Sequence, residues 1–182
     1  DQGLDIAVVE MANQVMAPLD YSMAAIVHQQ LIEKKVDLRL EDGVLRFEET
    51  DGGIIVHLKS GKQIPTDLVI LSIGVRPETK LAKEAGLAIG ALGGIAVNDY
   101  MQTSDPDIYA LGDAVEVLNP VTGKPALIPL AGPANKQGRI VADNIVFGNR
   151  ETYKGTIGTS IAKVFDITVA AAGANAKLLK RE

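Results

Sequence analysis

Short apolar stretches alternate with amphipathic ones along this chain, and the alternation predicts an α/β fold. Residues 4–10 (LDIAVVE) and 67–73 (DLVILSI) are short, apolar and rich in branched side chains, which is typical of buried parallel strands. Residues 36–40 predict a further short strand. Strands separated by helical patterns in this way favour a mostly parallel sheet.

A helix is predicted between the first two strands. Asp20 stands where an N-cap belongs, and Lys34 and Lys35 stand at the other end, where cations suit the helix dipole. Four apolar positions at helical spacing should form its buried face; they are Met23, Ile26, Val27 and Leu31.

A β-hairpin interrupts the parallel pattern. Residues 44–49 and 54–59 alternate between apolar and polar around Thr50-Asp51-Gly52-Gly53, a sequence typical of a hairpin turn. Further along, the pattern predicts a helix over residues 78–85, a strand over 95–97, a longer helix over 134–147 and a strand-like run over 161–169.

Composition and charge exclude several classes of function. The 182 residues carry a formal net charge of −5, with 47% hydrophobic and 23% charged residues, as in ordinary globular proteins. No basic stripe suits nucleic acid, and no apolar run is long enough for a membrane span. The first residues, Asp1-Gln2-Gly3-Leu4, lack the pattern of a signal peptide, so a cytoplasmic setting is expected.

The chain contains no cysteine and only two histidines. Disulfides, thiolate metal sites and thiol catalysis within the chain are therefore excluded. His28 lies in a helical pattern and His57 in a strand pattern, and both are interpreted as packing or surface residues. We predict no metal site and assign no catalytic residue in this chain.

The most informative segment is residues 103–113, TSDPDIYALGD. It predicts a polar turn marked by Pro106, then a short apolar strand, then Gly112 and Asp113 where the strand ends. Open α/β sheets bind ligands at the carboxyl ends of their strands. A glycine there lets a ligand approach the backbone, and a carboxylate accepts strong hydrogen bonds from a polyol.

This segment resembles the second FAD-binding motif of the pyridine nucleotide-disulfide oxidoreductases, and the similarity continues along nearly the whole chain. In that family the aspartate holds the ribityl chain of the flavin, a role that the resemblance gives to Asp113 beside Gly112. Residues 129–139 (PLAGPANKQGR) resemble the family segment along the flavin ring. Backbone N–H groups of Leu130 and Ala131, at the start of the longer helix, would then supply donors to the flavin.

Three polar residues follow in the same segment, namely Asn135, Lys136 and Arg139. They would either reach a substrate or form an exposed polar helix face, and the sequence leaves both readings open.

The resemblance assigns Glu10, Ile73 and Gly74 to the nicotinamide cofactor. Glu10 matches the carboxylate that hydrogen-bonds the adenosine ribose, while Ile73 and Gly74 begin a turn beside the nicotinamide. A 2′-phosphate about 4 Å from this carboxylate would be repelled by about 1–4 kcal/mol. Because Met11, Ala12 and Asn13 offer no cation to reverse this, NADH is favoured over NADPH.

The family layout implies FAD/NAD(P)-binding, Rossmann-like three-layer domains truncated at the N-terminus. Residues 1–77 would form part of the NAD-binding domain, 78–151 the C-terminal segment of the FAD-binding domain, and 152–182 the beginning of an α+β dimerisation domain. The chain has no G-x-G-x-x-G turn that follows a strand and opens a helix. We therefore expect a piece of a longer enzyme whose redox cysteine lies upstream.

Residues 155–166 (GTIGTSIAKVFD) resemble the start of the dimerisation domain in the coenzyme A-disulfide reductase, NADH oxidase and NADH peroxidase branch. The implied intact enzyme is a homodimer that passes hydride from NADH to FAD. Electrons then reach a coenzyme A disulfide, a peroxide or oxygen. Two alternatives stay open: a ferredoxin or rubredoxin reductase-type flavoprotein, and a non-catalytic α/β interaction module.

Overall fold

The computed structural model describes residues 3–181, so Asp1, Gln2 and Glu182 lie outside the described residues. The chain forms two compact units. The first contains residues 3–73, 161–170 and 175–181, and the second contains residues 74–160 and 171–174. The domain boundaries expected from the sequence, after residues 77 and 151, stay predictions.

Up to residue 73, the first unit contains two small sheets, one of which includes the predicted β-hairpin, and one helix. Its elements, in chain order, are β1 (Ala7–Val9), α1 (Tyr21–Glu33), β2 (Asp37–Arg39), β3 (Val44–Thr50), β4 (Gly53–Leu58) and β5 (Gln63–Thr66). β1 and β2 are parallel, with Val8 opposite Leu38. β3, β4 and β5 form a three-stranded antiparallel sheet.

The predicted hairpin is confirmed. β3 and β4 pair with Phe47 opposite Val56, and Asp51 and Gly52 form the turn between them. β5 was not predicted, and it includes Pro65. Proline is tolerated there because β5 pairs only with β4, and an edge strand can spare one N–H group.

The predicted parallel strands are only partly present. β1 covers three residues instead of seven, and Leu4 and Ile6 before it are exposed. The strand over residues 67–73 is wrong: the segment has no regular structure, and Ile70 and Ile73 are more than 80% exposed. A buried parallel strand needs hydrogen-bonded neighbours, and within residues 3–181 no strand pairs with this segment.

The buried face of α1 also differs from the prediction. Ala24, Val27 and His28 are buried, whereas Met23 and Ile26 are each 54% exposed. The buried positions follow the same helical spacing, but they select the small Ala24 and the polar His28 instead of the larger apolar residues. The prediction is therefore correct for Val27 and wrong for Met23 and Ile26.

The second unit surrounds one hydrophobic core. Its elements are α2 (Lys80–Glu84), β6 (Ile95–Ala96), β7 (Val115–Leu118), β8 (Pro125–Ala126) and α3 (Ala131–Phe147). β7 lies between β6, which is parallel to it, and β8, which is antiparallel. The core contains residues from β7, α3 and the loops; they are Met101, Val115, Val117, Ile140, Val141 and Tyr153.

Two further predictions require correction. α3 begins at Ala131 and not at residue 134, because Leu130 takes the extended N-cap conformation before it. The strand-like run over residues 161–169 consists of two paired strands, β9 (Ser160–Val164) and β10 (Ile167–Ala171). They are separated by Phe165, whose positive φ of 50° reverses the chain, and α4 (Ala176–Arg181) follows.

Candidate functional site

Asp113 lies in a short 3-10 turn, Gly112–Ala114, immediately before β7. The predicted strand before this turn is wrong. Residues 108–111 make only an isolated bridge between Gln102 and Tyr109, so Asp113 precedes a strand and does not end one. The carboxylate is exposed, and no group within residues 3–181 hydrogen-bonds or ion-pairs with it. Asp113 is thus available to a ligand.

Gly112 turns the backbone so that Asp113 faces outward beside α3. Its φ of +81° lies in the left-handed region, which disfavours any side chain. A Cβ atom built on Gly112 would lie 3.9 Å from the Cβ of Ala134, so the turn packs closely on the first part of α3. The predicted partners Gly112 and Asp113 therefore do lie beside the start of the long helix.

A buried glutamine joins the turn to the helix. Gln137 is only 3% exposed, and its Oε1 accepts a hydrogen bond of 2.7 Å from the N–H of Gly112. The sequence analysis gave Gln137 no role. Its position relative to Ile140, Val141 and Asn144 matches the i, i+3, i+4, i+7 spacing of a buried helix face, which is the signal that was missed.

Tyr153 belongs to the hydrophobic core of the second unit, and its side chain lies near Gln137. Its hydroxyl is buried and makes no hydrogen bond to any described group. Burial raises the pKa of Tyr153, and the nearby Gln137 side chain offsets part of that rise, although their contact lacks hydrogen-bond geometry. Gln137 thus contacts the Gly112 N–H and also lies near the Tyr153 hydroxyl.

The first turn of α3 offers different backbone donors from those predicted. The Leu130 N–H donates to the carbonyl of Ile128 at 2.9 Å, so the prediction that it is available to a ligand is wrong. The N–H groups of Ala131 and Gly132 have no acceptor within residues 3–181, as is usual in a first helical turn. Ala131 therefore remains a candidate donor.

Asn135, Lys136 and Arg139 are exposed on one side of α3. The Asn135 side-chain amide donates to the Ala131 carbonyl at 3.0 Å, which leaves its Oδ1 atom available. The three residues thus form a polar face on the same helix as Ala131, and their role in substrate binding stays a prediction.

Glu10 lies directly after β1 in the first unit. Its N–H donates to the carbonyl of Arg39, which continues the β1–β2 ladder by one residue. Its Oε1 accepts a 2.7 Å hydrogen bond from the N–H of Ala12, so the carboxylate also caps the loop that follows it. The second carboxylate oxygen has no partner among the described residues.

Ile73 and Gly74 do not end a strand as predicted. Ile73 is 87% exposed, and Gly74 has a φ of +87° with no atom within 4 Å of a Cβ built on it. They stand at the point where the first unit ends and the second begins. Their contact with a nicotinamide ring stays a prediction.

The glycine-rich turn at residues 90–94 holds a carboxylate from β7. Glu116 is 9% exposed, and its Oε2 accepts a 2.8 Å hydrogen bond from the N–H of Leu92. A Cβ built on Gly90 would lie closer than 3.0 Å to this carboxylate, and one on Gly94 would approach the Glu116 backbone N at 2.9 Å. Glu116 therefore packs into this turn, and the sequence analysis gave it no role.

No group of three or more histidine, cysteine, aspartate or glutamate side chains within residues 3–181 is arranged to hold a metal ion. In the same part of the chain, no helix has both the length and the apolar character needed to cross a bilayer.

Comparison with known proteins identifies relatives along the chain. The family model for pyridine nucleotide-disulphide oxidoreductases matches residues 1–138. An NADH oxidase of Methanocaldococcus jannaschii is 37% identical over 176 residues, covering 96% of this chain and 39% of the relative. The coenzyme A disulfide reductase of Staphylococcus haemolyticus is 29% identical over 172 residues, covering 94% of this chain and 38% of the relative.

A solved structure has the same fold. The crystal structure of reduced Bacillus anthracis CoADR-RHD superposes with a TM-score of 0.93 and 56% sequence identity, covering 98% of this chain and 32% of that one. The chain thus spans about two fifths or less of the length of these proteins.

Proposed function

Because this chain belongs to the pyridine nucleotide-disulphide oxidoreductase family, we propose that it supplies the second flavin-contact region and the adenosine-contact loop of an NADH-dependent flavoprotein. The bound flavin would accept a hydride from the nicotinamide and pass electrons onward. Proteins of this family bind FAD and NAD(P)H. The activity of the whole protein is part of the proposal.

The observation that supports the proposal most is the unpartnered carboxylate of Asp113 beside the first turn of α3. Flavin carries a chain of hydroxyl groups, and an ionised carboxylate accepts hydrogen bonds from hydroxyls without needing a counter-ion. The Ala131 and Gly132 N–H groups, at the positive end of this 17-residue helix, have no acceptor within residues 3–181. The residues present therefore fit a flavin.

These residues have distinct tasks in the proposed site. Asp113 would bind and orient the polyol, while the Ala131 N–H and the helix dipole would favour negative charge on the ring edge by about 0.3–2 kcal/mol. Gly112 keeps the turn free of a side chain, so that the backbone can approach the ligand. No residue within the described chain is proposed to transfer a proton or to act as a nucleophile.

Glu10 would hold the adenosine ribose of NADH in the first unit. One carboxylate oxygen is held by the Ala12 N–H, which leaves the other for a ribose hydroxyl. No cation follows in sequence at Met11, Ala12 or Asn13, although Nζ of Lys59 lies 3.6 Å from Sδ of Met11. The like charge of the Glu10 carboxylate is what would disfavour a 2′-phosphate. NADH is therefore proposed over NADPH, with the nicotinamide near Ile73 and Gly74.

The electron acceptor is proposed as a small molecule. The relatives include a protein named NADH oxidase and proteins named coenzyme A disulfide reductase, so oxygen, a peroxide or a coenzyme A disulfide are the classes proposed. Asn135, Lys136 and Arg139 would contact this substrate. A homodimeric assembly and a cytoplasmic setting are parts of the same proposal.

Anaerobic reduction tests this proposal. A flavoprotein that contains all 182 residues should bind FAD and lose the absorbance of oxidised flavin when NADH is added. NADPH should reduce the flavin more slowly than NADH does. Glu10→Ala should bring the rates of flavin reduction by NADH and NADPH closer together. Absence of bound flavin, or no reduction by either nucleotide, would overturn the proposal.

A further inference from the structure

The loop after Glu10 is held in one conformation by contacts that neither the family match nor the proposed cofactor requires. Residues 11–19 connect Glu10 to α1 without regular strand or helix. Met16, within this loop, has a φ of 53°, which is uncommon for a residue with a side chain. Such a conformation persists when its surroundings over-determine it.

A buried glutamine organises this loop from inside. Gln14 is 4% exposed, and its Nε2 donates to the Leu19 carbonyl at 3.0 Å. The Leu19 N–H in turn donates to the Met16 carbonyl at 2.9 Å. These two bonds close the loop on itself around Leu19, which is also buried.

His28 fixes the loop to α1. The Val15 N–H donates to Nε2 of His28 at 3.2 Å, and the imidazole is buried. Since Nε2 accepts this bond, the geometry assigns the ring proton to Nδ1. His28 is thus more than a packing residue: it supplies the acceptor for a loop amide.

The segment before and within α4 fixes the loop from another side. Nζ of Lys177 donates to Oε1 of Gln14 and to the carbonyl of Ala17, both at 3.0 Å. Nδ2 of Asn175 donates to the Pro18 carbonyl at 3.0 Å. All of these residues belong to the first unit.

Asp20 completes this second set of contacts. The sequence predicts Asp20 as the side-chain cap of α1, but its side chain makes no such bond. Its Oδ1 accepts instead from the N–H of Ala176, the first residue of α4, at 2.9 Å. The sequence could not show this, because the two residues are 156 positions apart.

We propose that His28 and Lys177 are positioning residues for nicotinamide-dinucleotide binding: they hold the loop that begins at Glu10 and thereby set the affinity for the adenosine end of NADH. This inference rests on the proposed function of Glu10. Neither residue touches the cofactor in this account; both act through Gln14, Val15 and Ala17. A segment near the end of the chain thus governs cofactor affinity at its beginning.

The test is steady-state kinetics on a flavoprotein that contains all 182 residues. Lys177→Met removes both Nζ bonds but keeps the length of the side chain, and His28→Leu removes the acceptor for Val15. Each should raise the KM for NADH by about 2- to 12-fold, the equivalent of one net hydrogen bond, with kcat and flavin content unchanged.

Two matched variants serve as controls. Lys180→Met removes an exposed lysine from the same helix and should leave the KM for NADH within twofold of the parent. His28→Gln places an amide oxygen near the position of Nε2 and should restore most of the affinity lost in His28→Leu. Amide exchange should accelerate at residues 14–19 in Lys177→Met and not in Lys180→Met.

The outcomes separate this inference from the proposed function. If Glu10→Gln raises the KM for NADH but Lys177→Met and His28→Leu do not, the positioning role is wrong and the proposed function stands. A parallel loss of kcat, flavin content and NADH affinity would indicate general unfolding and would also overturn the positioning role. If the parent protein binds no NADH, both the positioning role and the proposed function are wrong.

Discussion

The N–H of Gly112 and Oε1 of Gln137 form a 2.7 Å hydrogen bond that joins the Asp113 turn to the second turn of α3. Gly112 has a left-handed backbone, and Gln137 is buried, so both ends of the bond are fixed by their own surroundings. The bond therefore holds the turn that carries the candidate flavin-binding carboxylate against a 17-residue helix.

Substituting Gln137 should loosen this turn. Gln137→Leu leaves the Gly112 N–H without an acceptor in a partly buried place, which should lower the free energy of unfolding by about 1–3 kcal/mol. Urea denaturation followed by circular dichroism measures this change. Lys136→Leu alters the exposed neighbour and should change stability by less than about 0.5 kcal/mol; equal effects of the two substitutions would contradict the assigned bond.

Removing the Tyr153 hydroxyl should not destabilise the protein. The hydroxyl is buried without a hydrogen bond, so Tyr153→Phe removes an unsatisfied polar group and should leave stability unchanged or raise it by about 1 kcal/mol. Burial raises the folded-state pKa of Tyr153 above 10.0, so folding opposes its ionisation. The parent should therefore lose stability above pH 10 relative to Tyr153→Phe, whereas a clear loss of stability in Tyr153→Phe at neutral pH would reveal a bond that the structure lacks.

Asn144 should be among the most sensitive polar positions in the second unit. It is 1% exposed; its Nδ2 donates to the carbonyls of Tyr100 and Glu151, and its Oδ1 accepts from the N–H groups of Arg150 and Glu151. Asn144→Ala leaves several of these backbone groups without a hydrogen-bond partner. It should lower the free energy of unfolding by about 2–4 kcal/mol, measured by thermal or urea denaturation. Asp143→Ala, at the exposed neighbour, is the matched control, and a similar cost there would refute the assignment.

Acid should weaken the β3–β4–β5 sheet through Asp42. The Ser60 hydroxyl, then the Ser60 and Gly43 N–H groups, donate to this carboxylate and hold its pKa below the ordinary value of 3.8. A depressed folded-state pKa contributes stability that is complete above the unfolded pKa and is lost as pH falls through the folded one. Asp42→Asn should remove this part of the pH dependence below pH 4; an unchanged acid profile would mean that other carboxylates cause it.

The sequence predicted those parts of the fold that depend on nearby residues. The hairpin at Asp51-Gly52 and the end of α3 at Gly148 follow from turn and helix-end chemistry within a few positions. The strand prediction for residues 67–73 was wrong because a strand also needs hydrogen-bonded neighbouring strands, and the local sequence pattern does not show whether these are present. β7 was missed because the short apolar run before Gly112 and Asp113 was interpreted as the strand, whereas the strand follows these two residues.

Predictions for the candidate site also depended on residues that are close together in the sequence. Gly112 and Asp113 were proposed from one contiguous motif and Ala131 from another, and their contacts with a flavin stay predictions. Gln137, Glu116 and Lys177 were missed, because each acts by a hydrogen bond to a residue 24 or more positions away. Leu130 was wrongly included because its N–H bonds to Ile128, two residues earlier, a turn that the apolar sequence does not reveal.

The dissociation constant for FAD, compared between the parent and Asp113→Ala in a flavoprotein containing all 182 residues, tests the central claim most directly. Loss of a charge-assisted hydrogen bond should weaken binding by about 10- to 150-fold, while Asp107→Ala, an exposed aspartate of the same segment, should leave it unchanged. Equal FAD affinity in the parent and in Asp113→Ala would contradict the assignment of this carboxylate to the flavin.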